Sequence, residues 1–334
     1  MSERNRFIDV LKGFCIVAVV FTHAGWSEEL RLKLLFPFWI DMAVPFFMLV
    51  SGYVYAKSFQ AKGVEGLDSA YNKRYLLKNS IRYTLPFFVA YMLELAWRFL
   101  TEKPSGLKEV KDFCISAILD FLQGGYGPGS YYYPEMIQIM LLFPVIYVLV
   151  RKFAFKGVMI VTAATLFFEL LKISFGVQEV TYRLLLFRYF MLLAFGAYFA
   201  FNRMNWRMWG FSAMGLAFIL LFRYTGYKPK ILFWWTGTSM LPVLLIIPVF
   251  GFLVEKKLSL PPMEEIGRAS YNIFLTQLVY FSSISGIIAG KLKHGVWSCA
   301  FAGIAICVPV GIVFYEMEHR ITRRLTDLIL EKRP

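Results

Sequence analysis

Apolar residues run along the chain in long blocks separated by short polar stretches. A helix needs about 20 mostly apolar residues to cross a bilayer. On that scale the pattern predicts ten spans, roughly at 8–24, 36–56, 80–100, 131–150, 157–173, 184–201, 206–222, 231–253, 268–289 and 296–315. The first is the least apolar, because Asp9, Lys12 and His23 interrupt it. The stretch 113–122 is too short to span and reads as a helix on the outer surface. No segment between spans is long enough for a soluble domain. The expectation is therefore an all-α, polytopic membrane protein of about ten transmembrane helices, with residues 1–334 forming a single integral-membrane domain. No internal repeat of the kind that builds inverted transporter halves is visible.

Composition agrees. Hydrophobic residues make up 58% of the chain and charged ones 17%, with a mean hydropathy of +0.57. Soluble domains lie near about 45–50% apolar and about 25% charged. The excess excludes an ordinary soluble protein, a disordered chain and a nucleic-acid-binding domain. A net charge of +14 would point to nucleic acid in a soluble protein. Here the basic residues lie mostly between apolar runs, where anionic membrane lipids and orientation signals account for them. The loops that hold the larger share of Lys and Arg alternate, which places both termini in the cytoplasm. Cys15, Cys114, Cys299 and Cys307 lie in or beside apolar stretches with no metal-ligand spacing, so neither a disulfide framework nor a metal site is expected. The N-terminal apolar run has no small-residue cleavage site, so it is expected to remain as the first span.

Ionisable residues inside spans are costly and mark function by default. With the assigned orientation, His23, Asp41, Glu135 and Arg188 fall at a similar depth toward the outer face, on four different helices. Gln138 lies one turn deeper than Glu135, and Tyr132 just precedes it. For Arg183 and Asp41 alone, an interfacial position with the charge in water is the simpler reading. Histidine is the natural proton acceptor near neutral pH. Transfer of an acyl group to a hydroxyl needs such a base, and a carboxylate beside the imidazole would orient it. Asp41 and Glu135 are both candidates for that carboxylate. No G-x-S-x-G elbow supplies a serine nucleophile, which favours direct transfer without an acyl-enzyme. His294 and His319, in a loop and a basic tail, read as structural.

On the cytoplasmic side Lys12, Lys73, Arg74, Lys78, Arg82, Arg151 and Lys152 flank spans. Clustered Lys and Arg suit phosphates, although positive-inside bias explains most of them singly. Ser51-Gly52 either permits close helix packing or lines a donor channel. The run Gly124-Gly125-Tyr126-Gly127-Pro128-Gly129-Ser130 forms a turn that delivers Tyr131 to Glu135 into the polar layer. Tyr132, Gln138 and Arg188 are thus candidate acceptor-binding residues. Trp234-Trp235 reads as an interfacial belt.

Three segments carry a resemblance. The first span reads Phe7-Ile8-Asp9-Val10-Leu11-Lys12-Gly13 and then Thr22-His23. The second contains Val44-Pro45-Phe46-Phe47-Met48-Leu49-Val50-Ser51-Gly52-Tyr53. The ninth contains Ile266-Gly267-Arg268-Ala269-Ser270-Tyr271-Asn272-Ile273-Phe274-Leu275-Thr276-Gln277. In this order they resemble acyltransferase family 3, the multi-pass inner-membrane O-acyltransferases, over almost the whole chain. The resemblance implies an acyl-CoA donor, usually acetyl-CoA. It implies as acceptor a hydroxyl of a sugar or a lipid-linked glycan of the cell envelope. It points to Lys12 and His23 as site residues, while the basic cluster and the channel reading put Lys12, Arg82, Ser51 and Gly52 toward the donor. Gln277 stands where many members carry a histidine. It is kept as a substrate-binding candidate, and the resemblance carries no proton role to it. Lys12 and His23 are eleven residues apart, roughly 16 Å along a helix. An extended pantetheine arm has a comparable length, so the thioester could reach the outer layer while the nucleotide stays near the cytoplasm. A transporter or flippase for an anionic or glycan substrate would also suit ten spans with internal charges. Dependence on acetyl-CoA separates the two readings. A homo-oligomer is compatible with the sequence.

Overall fold

The computed structural model describes residues 5–225, 240–292 and 295–331. Trp234-Trp235, His294 and the first part of the stretch 231–253 lie outside the described residues. Among the described residues the regular structure is helical throughout, with no strand. The longer helices are α1 (Arg6–Thr22), α2 (Ala43–Ala61), α3 (Lys73–Glu102), α4 (Leu107–Gln123), α5 (Tyr132–Phe153), α6 (Phe155–Ser174) and α7 (Phe190–Phe201). They continue with α8 (Trp209–Ile219), α9 (Ile246–Val254), α10 (Pro261–Arg268), α11 (Ser270–Val279), α12 (Ser285–Leu292) and α13 (Val296–Glu331).

Each of the ten apolar stretches carries helix among the described residues, and 113–122 falls within α4. Five helical segments are long and apolar enough to cross a membrane: Phe36–Ala61, Tyr132–Phe153, Phe155–Ser174, Ser270–Gly290 and Val296–Ile329. The rest fall short for physical reasons. α1 spends Asp9 and Lys12 within 17 residues. α3 opens with Lys73, Arg74, Lys78 and Arg82. Leu186–Phe201 and Met240–Val254 are apolar but short. Large apolar side chains stand on the surface, among them Phe88, Leu93, Phe167, Phe301, Val310 and Val313. Water would penalise such surface, whereas lipid tails solvate it, and helices satisfy their own backbone groups there. The chain is a membrane protein.

The chain divides into two compact units. One comprises Met1–Val19, Trp26–Asn72 and Leu141–Gly267. In it α2 and α7 meet backbone to backbone, because Gly52 packs on the Leu193 carbonyl and Gly196 on the Leu49 carbonyl. Lipid removes most of the hydrophobic drive between helices, so close approach through small residues holds them instead. α1 meets α10 the same way, with Gly13 on the Met263 carbonyl and Gly267 on the Asp9 carbonyl. The Met191 amide donates to Thr165 Oγ1 at 3.1 Å, tying α7 to α6.

The other unit comprises Val20–Gly25, Lys73–Met140 and Arg268–Pro334. α11 crosses α13 where Gly311 packs on the Ile273 backbone. The Tyr271 hydroxyl donates to the Tyr83 carbonyl at 2.9 Å, fixing α11 to α3. The Phe87 and Tyr133 rings stack at 3.7 Å, fixing α5 to α3. α11 runs on through a π-helical turn, Tyr280–Ile284, into α12.

A side chain at Gly196 would have to displace the α2 backbone. Overpacking of this kind costs roughly 1–3 kcal/mol or more. Gly196→Val should therefore lower the melting temperature of the detergent-solubilised protein, and an unchanged melting temperature would refute the packing role.

Candidate active site

The first unit holds three of the donor-side candidates, Lys12, Ser51 and Gly52. Lys12 Nζ pairs with Asp9 Oδ1 at 2.7 Å, one helical turn back on α1. Asp9 is buried and its own carbonyl is covered by Gly267, so the pair is held on a helix that cannot shift along α10. The partnership supplies the buried carboxylate with a cation, as burial of a charge demands. The Lys12 side chain keeps 24% of its surface exposed, enough to meet a ligand. Ser51 is half-buried and Gly52 is buried against α7. That contact accounts for Gly52 as a packing residue.

Asp41 and Arg188 also belong to this unit. The Arg31 guanidinium forms an ion pair with the Asp41 carboxylate. Arg223 and Glu28 pair at 2.5 Å, and both act on Asp41 electrostatically. Asp41 is thus part of a charged group built from the 28–41 segment and the π-helical segment Leu220–Tyr224 after α8. Arg188 is buried, donates from Nη2 to the Arg183 carbonyl at 3.1 Å and lies 4.6 Å from the Tyr189 ring centre.

The second unit holds His23, Arg82, Tyr132, Glu135, Gln138 and Gln277. His23 follows the last residue of α1, with its ring edge-on to Phe281 at 5.8 Å. Glu135 sits in the first turn of α5 with no exposed surface. The Gln138 amide donates to the Pro134 carbonyl at 3.2 Å, so it is engaged by its own helix. Tyr132 faces Phe274 at 4.8 Å between ring centres. Arg82 is exposed on α3, 5.8 Å from the neighbouring Tyr83 ring.

The turn 124–130 brings these groups together. Gly129 has φ of +90°, a left-handed conformation that glycine alone adopts readily. A Cβ there would stand 3.3 Å from the Phe274 ring, 3.8 Å from Gln277 Nε2 and 3.9 Å from His23 Nε2. Gly129 thus lies against an aromatic edge, an amide and an imidazole nitrogen, which all face the same side of the turn.

A buried carboxylate that the sequence reading passed over holds that turn. Glu94 on α3 is 3% exposed. It accepts from the Tyr126 amide at 3.2 Å, the Gly127 amide at 3.1 Å and the Ser282 hydroxyl at 2.9 Å. Gly125, at φ of +105°, clears room for it, since a Cβ would lie 2.6 Å from Glu94 Oε2. Gly127 packs on the Leu278 backbone of α11, where a Cβ would come within 2.6 Å. Next to this contact the Arg98 guanidinium covers the Tyr126 ring at 4.6 Å and donates to Asp120 at 3.1 Å. Burial raises the Tyr126 hydroxyl above its ordinary value, so it stays neutral at physiological pH. The signal for Glu94 was its place as an acid inside an apolar run, which marks function by default. Arg31, as the partner of Asp41, had no such signal.

Removing Glu94 would take the acceptor from the buried Gly127 amide and the part-buried Tyr126 amide, while the Ser282 hydroxyl keeps the Val279 carbonyl at 3.2 Å; each buried unsatisfied group costs about 1–3 kcal/mol. Glu94→Ala should destabilise the protein and raise hydrogen exchange at residues 124–131 above that of α5. Unaltered exchange there would show that Glu94 does not hold the turn.

Among the described residues no group of three His, Cys, Asp or Glu side chains is placed to hold a metal ion. No curated protein and no solved structure matches the chain. The sequence model of acyltransferase family 3, described as an acyltransferase domain, matches residues 5–316. A match of that extent covers both units and every candidate residue from Lys12 to Gln277, and the chain belongs to acyltransferase family 3, the membrane acyltransferases.

Proposed function

We propose that the protein moves an acetyl group from acetyl-CoA to a hydroxyl of a sugar or lipid-linked glycan of the cell envelope, with His23 as general base. The observation that carries this reading is the convergence of His23 Nε2, the Gln277 amide and Phe274 around Gly129. An imidazole there can take the hydroxyl proton as the oxygen attacks the thioester. Glu135, rather than Asp41, is the carboxylate we assign to support His23. Asp41 is held by Arg31, whereas Glu135 is buried in the unit that contains His23. Tyr132 and Phe274 would present aromatic faces to the acceptor.

Lys12 is assigned to the donor's phosphates, and Arg82 is a second basic candidate for the donor, taken from its place in the sequence. Lys12 and His23 are separated by the length of most of α1, and a pantetheine arm matches that span. We further place the protein in the plasma membrane with ten crossings, as one membrane domain with both termini cytoplasmic. The distribution of Lys and Arg between loops supports that orientation.

Acetyl-CoA at a hundredfold excess over its Kd should add about 2.7 kcal/mol to the stability of the folded protein, read as a rise in melting temperature. Lys12→Ala alone would strand the Asp9 carboxylate, so the test is made in an Asp9→Asn background. There the rise should persist with Lys12 present and shrink in the Lys12→Ala double variant. An equal rise in both would remove Lys12 from the donor site, and no rise in the wild-type protein would contradict the donor itself.

A further inference from the structure

The stretch 113–122 reads in the sequence as a surface helix, but its contacts run down the length of α3. The Phe113 ring meets the Phe99 ring at 5.6 Å. Further along, the Tyr91 hydroxyl donates to the Ala117 carbonyl, and the Phe121 ring lies 5.3 Å from both Tyr91 and Phe87. As α4 advances from Phe113 to Phe121, its partners on α3 retreat from Phe99 to Phe87. α4 therefore doubles back antiparallel to the helix that precedes it. From Phe88 to Leu100, roughly 18 Å of helix, every exposed residue of α3 is apolar, among them Phe88, Leu93 and Leu100. α4 is polar only where it begins. Lys108, Glu109, Lys111 and Asp112 are exposed in its first six residues, and Glu109 accepts from the Ser105 amide at 2.9 Å. From Phe113 to Leu122 the exposed residues are Cys114, Ile115, Ile118, Leu119 and Leu122, with Ile118 at 64% and Leu122 at 66%.

We propose, on the crossing by α3 assigned above, that α4 enters the bilayer beside α3 as a re-entrant helix whose outward face is covered by lipid acyl chains. Its exposed apolar face continues that of α3, so one solvent serves both, and water would penalise the whole of it. The one charge in its second half, Asp120, is turned to the seam and paired with Arg98 at 3.1 Å. The deep end meets the rule for backbone in hydrocarbon, where each polar group needs a partner within the protein. The Gly124 amide donates to the Phe121 carbonyl at 3.1 Å and the Gly125 amide to the Asp120 carbonyl at 2.8 Å. Gly124, Gly125 and Gly127 are buried, and Glu94 takes the next two amides. The turn 124–130, and the His23 imidazole beside Gly129, then lie within the bilayer rather than at its surface.

The test uses the full-length protein in phosphatidylethanolamine–phosphatidylglycerol vesicles. Nitroxide labels are placed one at a time at Leu107→Cys, the native Cys114, Ile118→Cys and Leu122→Cys, all exposed positions. Cys299→Ser is the background, with Cys114→Ser wherever the label sits elsewhere. Cys15 and Cys307 are buried and stay in place. Collision with oxygen against a nickel chelate reads the depth of each label. The helix path from Leu107 to Leu122 is roughly 22 Å, so the label at 122 should lie more than about 10 Å deeper than that at 107, with 114 and 118 between them. Labels at Leu100→Cys and Phe88→Cys give the reference gradient along α3. Equal depths along α4 would show a helix lying flat on the membrane and would overturn the proposal. Free access of the chelate to all four labels would do the same. Labels at 118 and 122 that neither collider reaches would place a second copy or another protein on that face, which also overturns it. A missing gradient on α3 would remove its crossing and the re-entrant helix together. The reaction plays no part in the measurement, so α4 can fail this test while the acyl-transfer reading stands.

Discussion

The contact of α1 with α10 is the constraint on which the proposed donor side depends. α1 carries Lys12, and His23 follows directly after its end. Gly13 and Gly267 bring the two backbones into contact, with the Asp9 carbonyl beneath Gly267. A helix with Asp9 and Lys12 in its first turns would be poorly held by lipid alone. The close packing buries Asp9, and the ion pair at 2.7 Å makes that burial tolerable. A membrane helix held by its own backbone rather than by large side chains has little freedom to slide.

The proposed acceptor side rests on a different device. The turn 124–130 is rich in glycine and would have many conformations in isolation. Glu94 removes that freedom with three hydrogen bonds, two to backbone amides of the turn and one to the π-helical segment after α11. Low dielectric strengthens each bond and penalises each absence. Gly129 is thereby held where Phe274, Gln277 and His23 meet. A rigid helix scaffold with a clamped turn is a common way to place reacting groups, since catalysis requires them to be positioned before the substrate arrives.

Much of the helical architecture was legible in the sequence, because span length and apolar composition are local properties. The ten apolar stretches carry helix among the described residues, and five meet the length and composition of a crossing. The family was legible from the three segments around Lys12, Ser51-Gly52 and Gln277. Pairings were less so. The Asp9–Lys12 ion pair is one helical turn apart and within reach of periodicity, yet the quoted motif did not by itself reveal it. Arg31 as partner of Asp41 depends on how a short connecting segment folds back. The partners of Glu94 lie 32, 33 and 188 residues away, so no local pattern could name them. Gly52 shows the same limit in reverse, since a glycine at a helix crossing and one lining a channel look alike until the opposite helix is in place.

The central claim is that an imidazole at the end of α1 takes the acceptor's proton. The most direct measurement is mass spectrometry of envelope glycans from cells lacking the protein and complemented with either wild type or His23→Gln at equal membrane abundance. Glutamine preserves hydrogen bonding but takes no proton at neutral pH. General-base catalysis is worth about a hundredfold or more, so the account predicts acetyl esters with the wild type and their near-complete loss with His23→Gln. Equal acetylation by the two proteins would contradict it.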